Sequence, residues 1–358
     1  MSQSYRMPAE WEKHEGTWLQ WPHMLTHGTY HYQLRLEGIW LQIVQGLYGH
    51  ENIHIVACDE AHRDHIEAQL KYFGMGGSGV DFHIIPTNDV WTRDTGAIFV
   101  HDQVGKPAAI DWKFNGWGNR FEHDLDEKVA GIMGGITDVP ILTPSLVLEG
   151  GSVEINGNKT FMGTRSSILN DNRNPNVGQD EVEKLFRKYF GVDHFIWLSG
   201  VGNEDSEKLG GVTDTHIDGT ARFTNENTVV HSIAEDENDS RYSVYSNIRE
   251  ELKKSSLSTG KKLDLIELPI PRNGVHQVTP VKWSKTTVTP ASYCNFYVAN
   301  GVVLVPLFGN VNDERARKIL SEQFPQREII GINVVNLIEN GGALHCVTQQ
   351  QPLWEYSL

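Results

Sequence analysis

The chain has 358 residues, 39% hydrophobic and 22% charged, with 34 Gly and 14 Pro, which excludes disorder and collagen-like structure and allows about two ordinary domains or one large α/β domain. With 31 basic against 46 acidic side chains the formal net charge is −15, so nucleic acid and anionic membrane surfaces are repelled and a small cation is attracted. Three scattered cysteines, Cys58, Cys294 and Cys346, with no C-x-x-C spacing, suggest neither a disulfide framework nor a zinc knuckle and suit a reducing compartment.

Along the chain, short apolar or β-branched runs alternate with amphipathic stretches. Residues 53–57 read as a buried strand, followed by 82–85, 97–100, 195–198, 228–233, 263–268, 302–306 and 328–335. Residues 33–49, 61–73, 180–190, 241–254 and 313–324 carry apolar residues at helical spacing and read as surface helices. Asp180-Glu-Val-Glu183 and Asn312-Asp-Glu-Arg315 supply polar caps and acidic first turns. Residues 1–10 have no apolar core of the kind a targeting segment needs, and the longest apolar run, 302–308, is far short of the ~20 residues of a membrane span. A cytoplasmic protein is expected. No Pro-, Gly- or Ser-rich linker divides the chain, the polar stretch 200–211 reads as a surface loop, and one domain over 1–358 is the simpler organisation. Strand-helix-strand units return about every 60 to 75 residues, a repeat that pattern alone does not separate from a doubly wound sheet.

Four segments carry groups suited to chemistry. Cys346 follows a strand and the glycine pair of Asn340-Gly-Gly-Ala-Leu-His-Cys346, where a ligand can approach the backbone closely; the plain alternative is a buried small hydrophobe. His216 lies in Thr213-Asp-Thr-His-Ile-Asp-Gly-Thr-Ala-Arg-Phe223, which as a strand would put Asp214, His216 and Asp218 on one face; the alternative is a solvated polar face. Asp94 belongs to Trp91-Thr-Arg-Asp-Thr-Gly96, a polar loop between strands, and Glu149 ends the apolar strand Leu146-Val-Leu-Glu149 before two glycines. Strand-end acids beside glycine are common site positions in α/β folds, although Arg93 and Asp94 can equally form a structural ion pair and Glu149 can cap a turn.

Together these are a thiol, an imidazole and three or four acids, with no lysine in any of the segments. A cysteine protease needs the first two but not a ring of carboxylates. A guanidinium does need them: it is planar, permanently charged and takes bidentate hydrogen bonds from carboxylates. Its carbon is a poor electrophile, which calls for a thiolate.

Seven motifs, Met7-Pro-Ala-Glu-Trp11, His14-Glu-Gly-Thr-Trp18, Trp91-Thr-Arg-Asp-Thr-Gly96, Leu148-Glu-Gly-Gly151, His216-Ile-Asp218, Ala291-Ser-Tyr-Cys-Asn-Phe-Tyr297 and His345-Cys-Val-Thr-Gln-Gln350, stand in the order found in agmatine deiminases. The chain resembles the agmatine deiminase and bacterial-type peptidylarginine deiminase group from residue 7 to residue 350. The resemblance implies an α/β, five-bladed pseudo-symmetric propeller of ββαβ units (the pentein fold), closed around a central site. It assigns Cys346 as nucleophile, His216 as general acid and base, Glu149 as the acid that positions substrate and imidazole, Asp94 and Asp218 as guanidinium clamps, and Trp91 as pocket lining. Two departures lie beside His216: Thr215 stands where many relatives have glycine, and the loop 203–209 does not align.

The implied reaction is hydrolysis of agmatine to N-carbamoylputrescine and ammonia, a putrescine-forming step, through an amidino-cysteine intermediate and with no metal or organic cofactor. Arginine or peptidyl-arginine deimination, amidino transfer and non-catalytic guanidine binding are the alternatives. The implied partner is a small cationic guanidine; nucleic acid and membrane are not expected, and a homo-oligomer is compatible with the sequence.

Overall fold

Runs rich in Val, Ile and aromatic residues suit a pleated, half-buried surface, and here they pair into five sheets. The structure is a computed structural model that describes residues 4–23, 30–201, 211–272 and 289–354. The first sheet joins β1 (Tyr5–Arg6), β5 (Ile98–Asp102), β6 (Pro107–Ile110) and β7 (Ile141–Leu142); the second joins β8 (Glu154–Ile155), β9 (Thr160–Thr164) and β10 (His194–Leu198). The third contains β11 (Ala221–Phe223), β12 (Thr228–Ile233) and β13 (Asp264–Pro269), and the fourth β14 (Tyr297–Ala299), β15 (Val302–Leu307) and β16 (Glu328–Asn333). The fifth is assembled from both ends of the described chain: β17 (Gln349–Pro352) pairs with β2 (His14–Gln20), which continues to β3 (Asn52–Ala57) and β4 (Val80–Ile84).

One pattern recurs in all five. An antiparallel pair (β5·β6, β8·β9, β11·β12, β14·β15, β17·β2) is followed by a parallel neighbour. A parallel neighbour requires a crossover, and the helices Val129–Ile136, Gln179–Tyr189, Tyr242–Lys254, Asp313–Gln323 and Tyr30–Leu47 lie in those connections. The fold is therefore mixed α/β, built from ββαβ units.

The helices form where the sequence spaces its apolar residues. In Gln179–Tyr189, Val182 and Phe186 are buried one turn apart, Asp180 and Glu181 occupy the first turn, and Arg187 and Lys188 the last, matching both ends of the helix dipole. Burial of each apolar anchor contributes roughly 1.5–3 kcal/mol. The expected polar caps are not there: neither Gly178 nor Asn312, the N-cap positions of this helix and of Asp313–Gln323, makes a side-chain cap bond. Asp313 instead accepts the backbone N–H groups of Phe308 and Asn310 at 3.1 and 3.0 Å, so it ties the preceding loop to the helix. The expected strand 328–335 stops at Asn333, whose side chain accepts the Val335 N–H at 3.1 Å and starts the short helix Val335–Ile338. No helix among the described residues is long and apolar enough to cross a membrane.

Candidate active site

The irregular segment leading into the first strand of each antiparallel pair carries the candidate site side chains. Asp94 lies in the short helix Thr92–Thr95 before β5, and Glu149 opens the 3₁₀ turn Gly150–Ser152 before β8. His216 and Asp218 flank and join the turn Ile217–Gly219 before β11, Asn295 precedes β14, and Cys346 sits in the turn His345–Val347 before β17. Five distant stretches of chain thus deliver one or two side chains each.

They converge. A Cβ added at Gly151 would lie 2.4 Å from His216 Nδ1, 3.0 Å from Asp94 Oδ1 and 3.1 Å from Asp218 Oδ2, and one added at Gly342 would meet Trp91 Cζ3 at 2.4 Å and Cys346 Cβ at 3.0 Å. Only glycine lets these groups approach the backbone so closely. Two cavity lobes meet at Cys346 and share Thr213, Gly341 and Gly342; Asp89, Trp91, Asp94, Trp117 and Phe121 line one, and His216, Asp218, Arg241, Tyr245 and Ser292 line the other. The structure therefore brings together Trp91, Asp94, His216, Asp218 and Cys346, with Glu149 directly behind the histidine.

Each reactive group is held by a specific partner. His216 Nε2 is 3.2 Å from Glu149 Oε2, while its Nδ1 is 3.8 Å from Asp94 Oδ1 and makes no hydrogen bond among the described residues. Burial opposes charge on the imidazole, but Asp94, Glu149 and Asp218 outweigh it and raise His216 to about 9. Glu149 is buried too, yet Arg173, whose Nε donates to it at 2.9 Å, and His216 hold it below its ordinary value. Asp94 accepts the Gly151 N–H at 3.0 Å and the Trp117 indole N–H at 2.9 Å; burial, reinforced by Glu149 and Asp218, still lifts it to about 6. Trp117 reaches it from φ 55°, a left-handed conformation costly for a bulky residue.

Asn295 orients the thiol. Its Oδ1 accepts the His345 N–H at 3.0 Å and its Nδ2 lies 3.3 Å from Cys346 Sγ. Asp218 Oδ2 is 3.7 Å from the same sulfur. Burial, then Asp218 and Asp94, push the thiol well above its ordinary value, against the Ala343 N–H and Asn295.

Several expectations are overturned. Residues 213–223 are not one strand: only Ala221–Phe223 is, and Asp214 and Thr215 turn the chain at φ 53° and 68°. Asp214 therefore does not share a strand face with His216 and Asp218; it accepts Arg120 at 2.9 and 3.0 Å and also pairs with Arg173. Thr215, at the resemblance's glycine position, occupies a left-handed conformation that glycine adopts without strain. Glu149 follows an irregular segment rather than a strand, because only Val147 bridges, to Lys113. Cys346 follows the helix Val335–Ile338 and a turn, not a strand. Arg93 does not pair with Asp94: it donates to Gln350 at 2.7 Å and the His345 carbonyl at 3.3 Å, and lies 3.5 Å from Glu10. The loop 203–209 lies outside the described residues.

Sequence reasoning assigned no role to Trp117, Arg173, Asn295, Glu10, Arg222 or His345. Glu10, Asn295 and His345 stand inside quoted motifs, so motif membership was the available clue; Arg173 sits in the polar run 170–174, where nothing marks it.

Comparison with known proteins places the chain in a family. The family described as Porphyromonas-type peptidyl-arginine deiminase matches residues 6–352. An agmatine deiminase of Pseudomonas aeruginosa is 31% identical, covering 97% of this chain and 95% of the relative, and a putative agmatine deiminase of Selenomonas ruminantium is 30% identical, covering 98% and 96%. Among solved structures, the substrate-bound Cys-to-Ser variant of C. jejuni agmatine deiminase superposes with a TM-score of 0.84 at 29% identity, covering 98% of this chain and 97% of that one. The agmatine deiminase of Enterococcus faecalis gives 0.85 at 26%, covering 98% of each. With its ββαβ units, its converging acids and a family match over nearly its whole length, the chain belongs to the Porphyromonas-type peptidyl-arginine deiminase family.

Proposed function

We propose that this protein hydrolyses agmatine to N-carbamoylputrescine and ammonia, with Cys346 as nucleophile. The observation that carries the reading is the convergence of His216, Asp94 and Asp218 on one point beside the Cys346 pocket. Asp94 and Asp218 clamp the guanidinium and compensate its charge. The bound cation offsets the two carboxylates that hold the thiol protonated, so ionisation of Cys346 follows substrate binding. The thiolate attacks the guanidinium carbon, His216 Nδ1 gives its proton to the departing ammonia, and an amidino-cysteine remains. The deprotonated His216 then takes a proton from water, whose oxygen attacks the same carbon; collapse releases the ureido product and the free thiol. Glu149, backed by Arg173, orients the imidazole for both transfers. Water is the only co-reactant these steps use.

Agmatine is favoured over arginine by the cavity walls. Beyond Asp94, the narrower lobe has Trp91, Trp117, Phe121 and Asp89, an aromatic and acidic lining that suits an alkyl chain ending in an ammonium. Arg241 lines the other lobe but is committed to Asp239 through bonds of 2.9 and 2.8 Å, leaving its guanidinium ill placed to receive an α-carboxylate. The five units, each delivering site residues ahead of its first strand, support a pseudo-symmetric five-bladed propeller forming one catalytic domain. The three cysteines, none in a disulfide, support a reducing, cytoplasmic setting. The test is turnover of agmatine, arginine and an arginine peptide, read as ammonia and ureido product. kcat/KM for agmatine is expected to exceed the others by at least about a hundredfold, about 2.7 kcal/mol; comparable efficiency on arginine or the peptide overturns the agmatine assignment.

A further inference from the structure

Beneath Cys346 runs a chain of charged side chains that the reaction steps above do not use. His345 is 1% exposed, with Nδ1 2.8 Å from Asp218 Oδ2 and Nε2 2.7 Å from Glu10 Oε2. Glu10 continues to Arg222 at 2.9 Å and Arg93 at 3.5 Å, and Arg222 to Glu154 at 2.7 Å. An ionised carboxylate only accepts, so each contact of the imidazole with a carboxylate oxygen must hold one proton, on the ring nitrogen or on the acid. The three groups Asp218, His345 and Glu10 then carry one net negative charge instead of two. Against burial, Arg222, His345 and Arg93 hold Glu10 well below its ordinary value and His345 holds Asp218 below its own, while burial, Arg222 and Arg93 oppose charge on the ring; the proton whose position can vary is therefore the one that the 2.8 Å contact calls for between Asp218 Oδ2 and His345 Nδ1. That Asp218 oxygen is also the one 3.7 Å from Cys346 Sγ.

Resting on the assignment of Cys346 as nucleophile, we propose that His345, backed by Glu10, is a positioning residue that fixes the Asp218 carboxylate against the thiol and sets how much of its negative charge Cys346 meets. The charged groups facing the imidazole are Asp218, Glu10, Arg222 and Arg93; those facing the thiol are Asp218 and Asp94. A neutral amide at position 345 can still donate to Asp218 but carries no shared proton. In His345→Gln the clamp therefore persists as a full carboxylate, while the thiol meets undiluted charge and ionises less readily.

The experiment is alkylation of Cys346 by iodoacetamide across pH without substrate, read by peptide mass spectrometry, together with steady-state kinetics on agmatine. In His345→Gln the alkylation midpoint is expected to rise by about one pH unit and kcat to fall at least about tenfold, with KM changed less than about threefold. A purely structural role would lower stability and change kcat and KM together without moving the midpoint. A folded His345→Gln protein with an unmoved midpoint, or with kcat within about threefold of wild type, overturns the proposal. Alkylation needs no substrate, so a wild-type enzyme inactive on agmatine counts against the agmatine reading and leaves this test standing. If the variant does not fold, wild-type protein with ¹⁵N-labelled histidine rings decides: two hydrogen-bonded protons shared by the His345 ring nitrogens from about pH 6 to about 9 are expected, and a ring with a single proton over that range, or one that titrates like an exposed histidine, overturns the inference.

Discussion

Replacing Gly151 by alanine probes the convergence with a single methyl group. The Gly151 backbone lies outside the left-handed region, so an L residue is not strained there, but the new Cβ would sit 2.4 Å from His216 Nδ1. Ordinary contact requires about 3.4 Å, so the imidazole must retreat by about 1 Å, stretching its 3.2 Å bond to Glu149 and disturbing Asp94 and Asp218. A misplacement of about 1 Å at reacting groups costs about a hundredfold in rate, about 2.7 kcal/mol of transition-state stabilisation. Overpacking by one methyl costs stability about 1–3 kcal/mol, which leaves a folded protein. The assay is kcat/KM on agmatine beside thermal unfolding, with Gly38→Ala as control. Nothing lies within 4 Å of a Cβ at Gly38, so that helix substitution should leave activity unchanged and add a few tenths to about 1 kcal/mol of stability. A Gly151→Ala enzyme within about threefold of wild-type kcat/KM would refute the idea that these three groups meet where the guanidinium is attacked.

Cys346→Ser should abolish turnover while the protein stays folded, and Cys58→Ser and Cys294→Ser should leave the rate near wild type. Asp94→Asn and Asp218→Asn should each lower kcat/KM by several kcal/mol, since charge-assisted bonds to the guanidinium are lost; effects within about 0.5 kcal/mol would mean the clamp lies elsewhere. Arg173→Met removes a fully buried guanidinium and leaves Glu149 and Asp214 without it, so denaturant unfolding should show a loss of about 3–5 kcal/mol. For pH dependence, Asp94, lifted to about 6, must lose its proton to hold the cation, and His216, lifted to about 9, must keep its proton to give it away. Because Cys346 must also give up its proton, kcat/KM should climb with pH up to about 9, most steeply below about 6, and stop climbing as His216 loses its proton. Stabilisation of Cys346→Ser by agmatine should likewise weaken as pH drops through that lower limb, and a flat profile would contradict both assignments.

Strands with long β-branched runs were legible without a structure: Thr228–Ile233 is found with the ends its sequence suggests. Pairs such as Glu154–Ile155, or the polar Gln349–Pro352, carry too few residues for a period to show, and neighbouring strands in their sheets define them. The site was legible as residue types and motifs, not as geometry. Asp214 and Asp218 look alike in the sequence, yet a turn through two left-handed residues sends one to Arg120 and Arg173 and leaves the other beside the thiol. Arg173 and Trp117 had no local mark because what they do depends on Glu149 and Asp94, 24 and 23 positions away along the chain. Arg93 was misread for the opposite reason: adjacency to Asp94 suggested a pair, whereas the short helix Thr92–Thr95 directs the two side chains to different partners.

The most direct test of a Cys346-based guanidine hydrolase is rapid quenching of the wild-type protein with agmatine, followed by peptide mapping for a covalent adduct. The account predicts an amidino group on the peptide containing Cys346, appearing before the ureido product and absent from the peptides containing Cys58 and Cys294. Ammonia release that persists in Cys346→Ser, or an adduct on either of the other two cysteines, would contradict it.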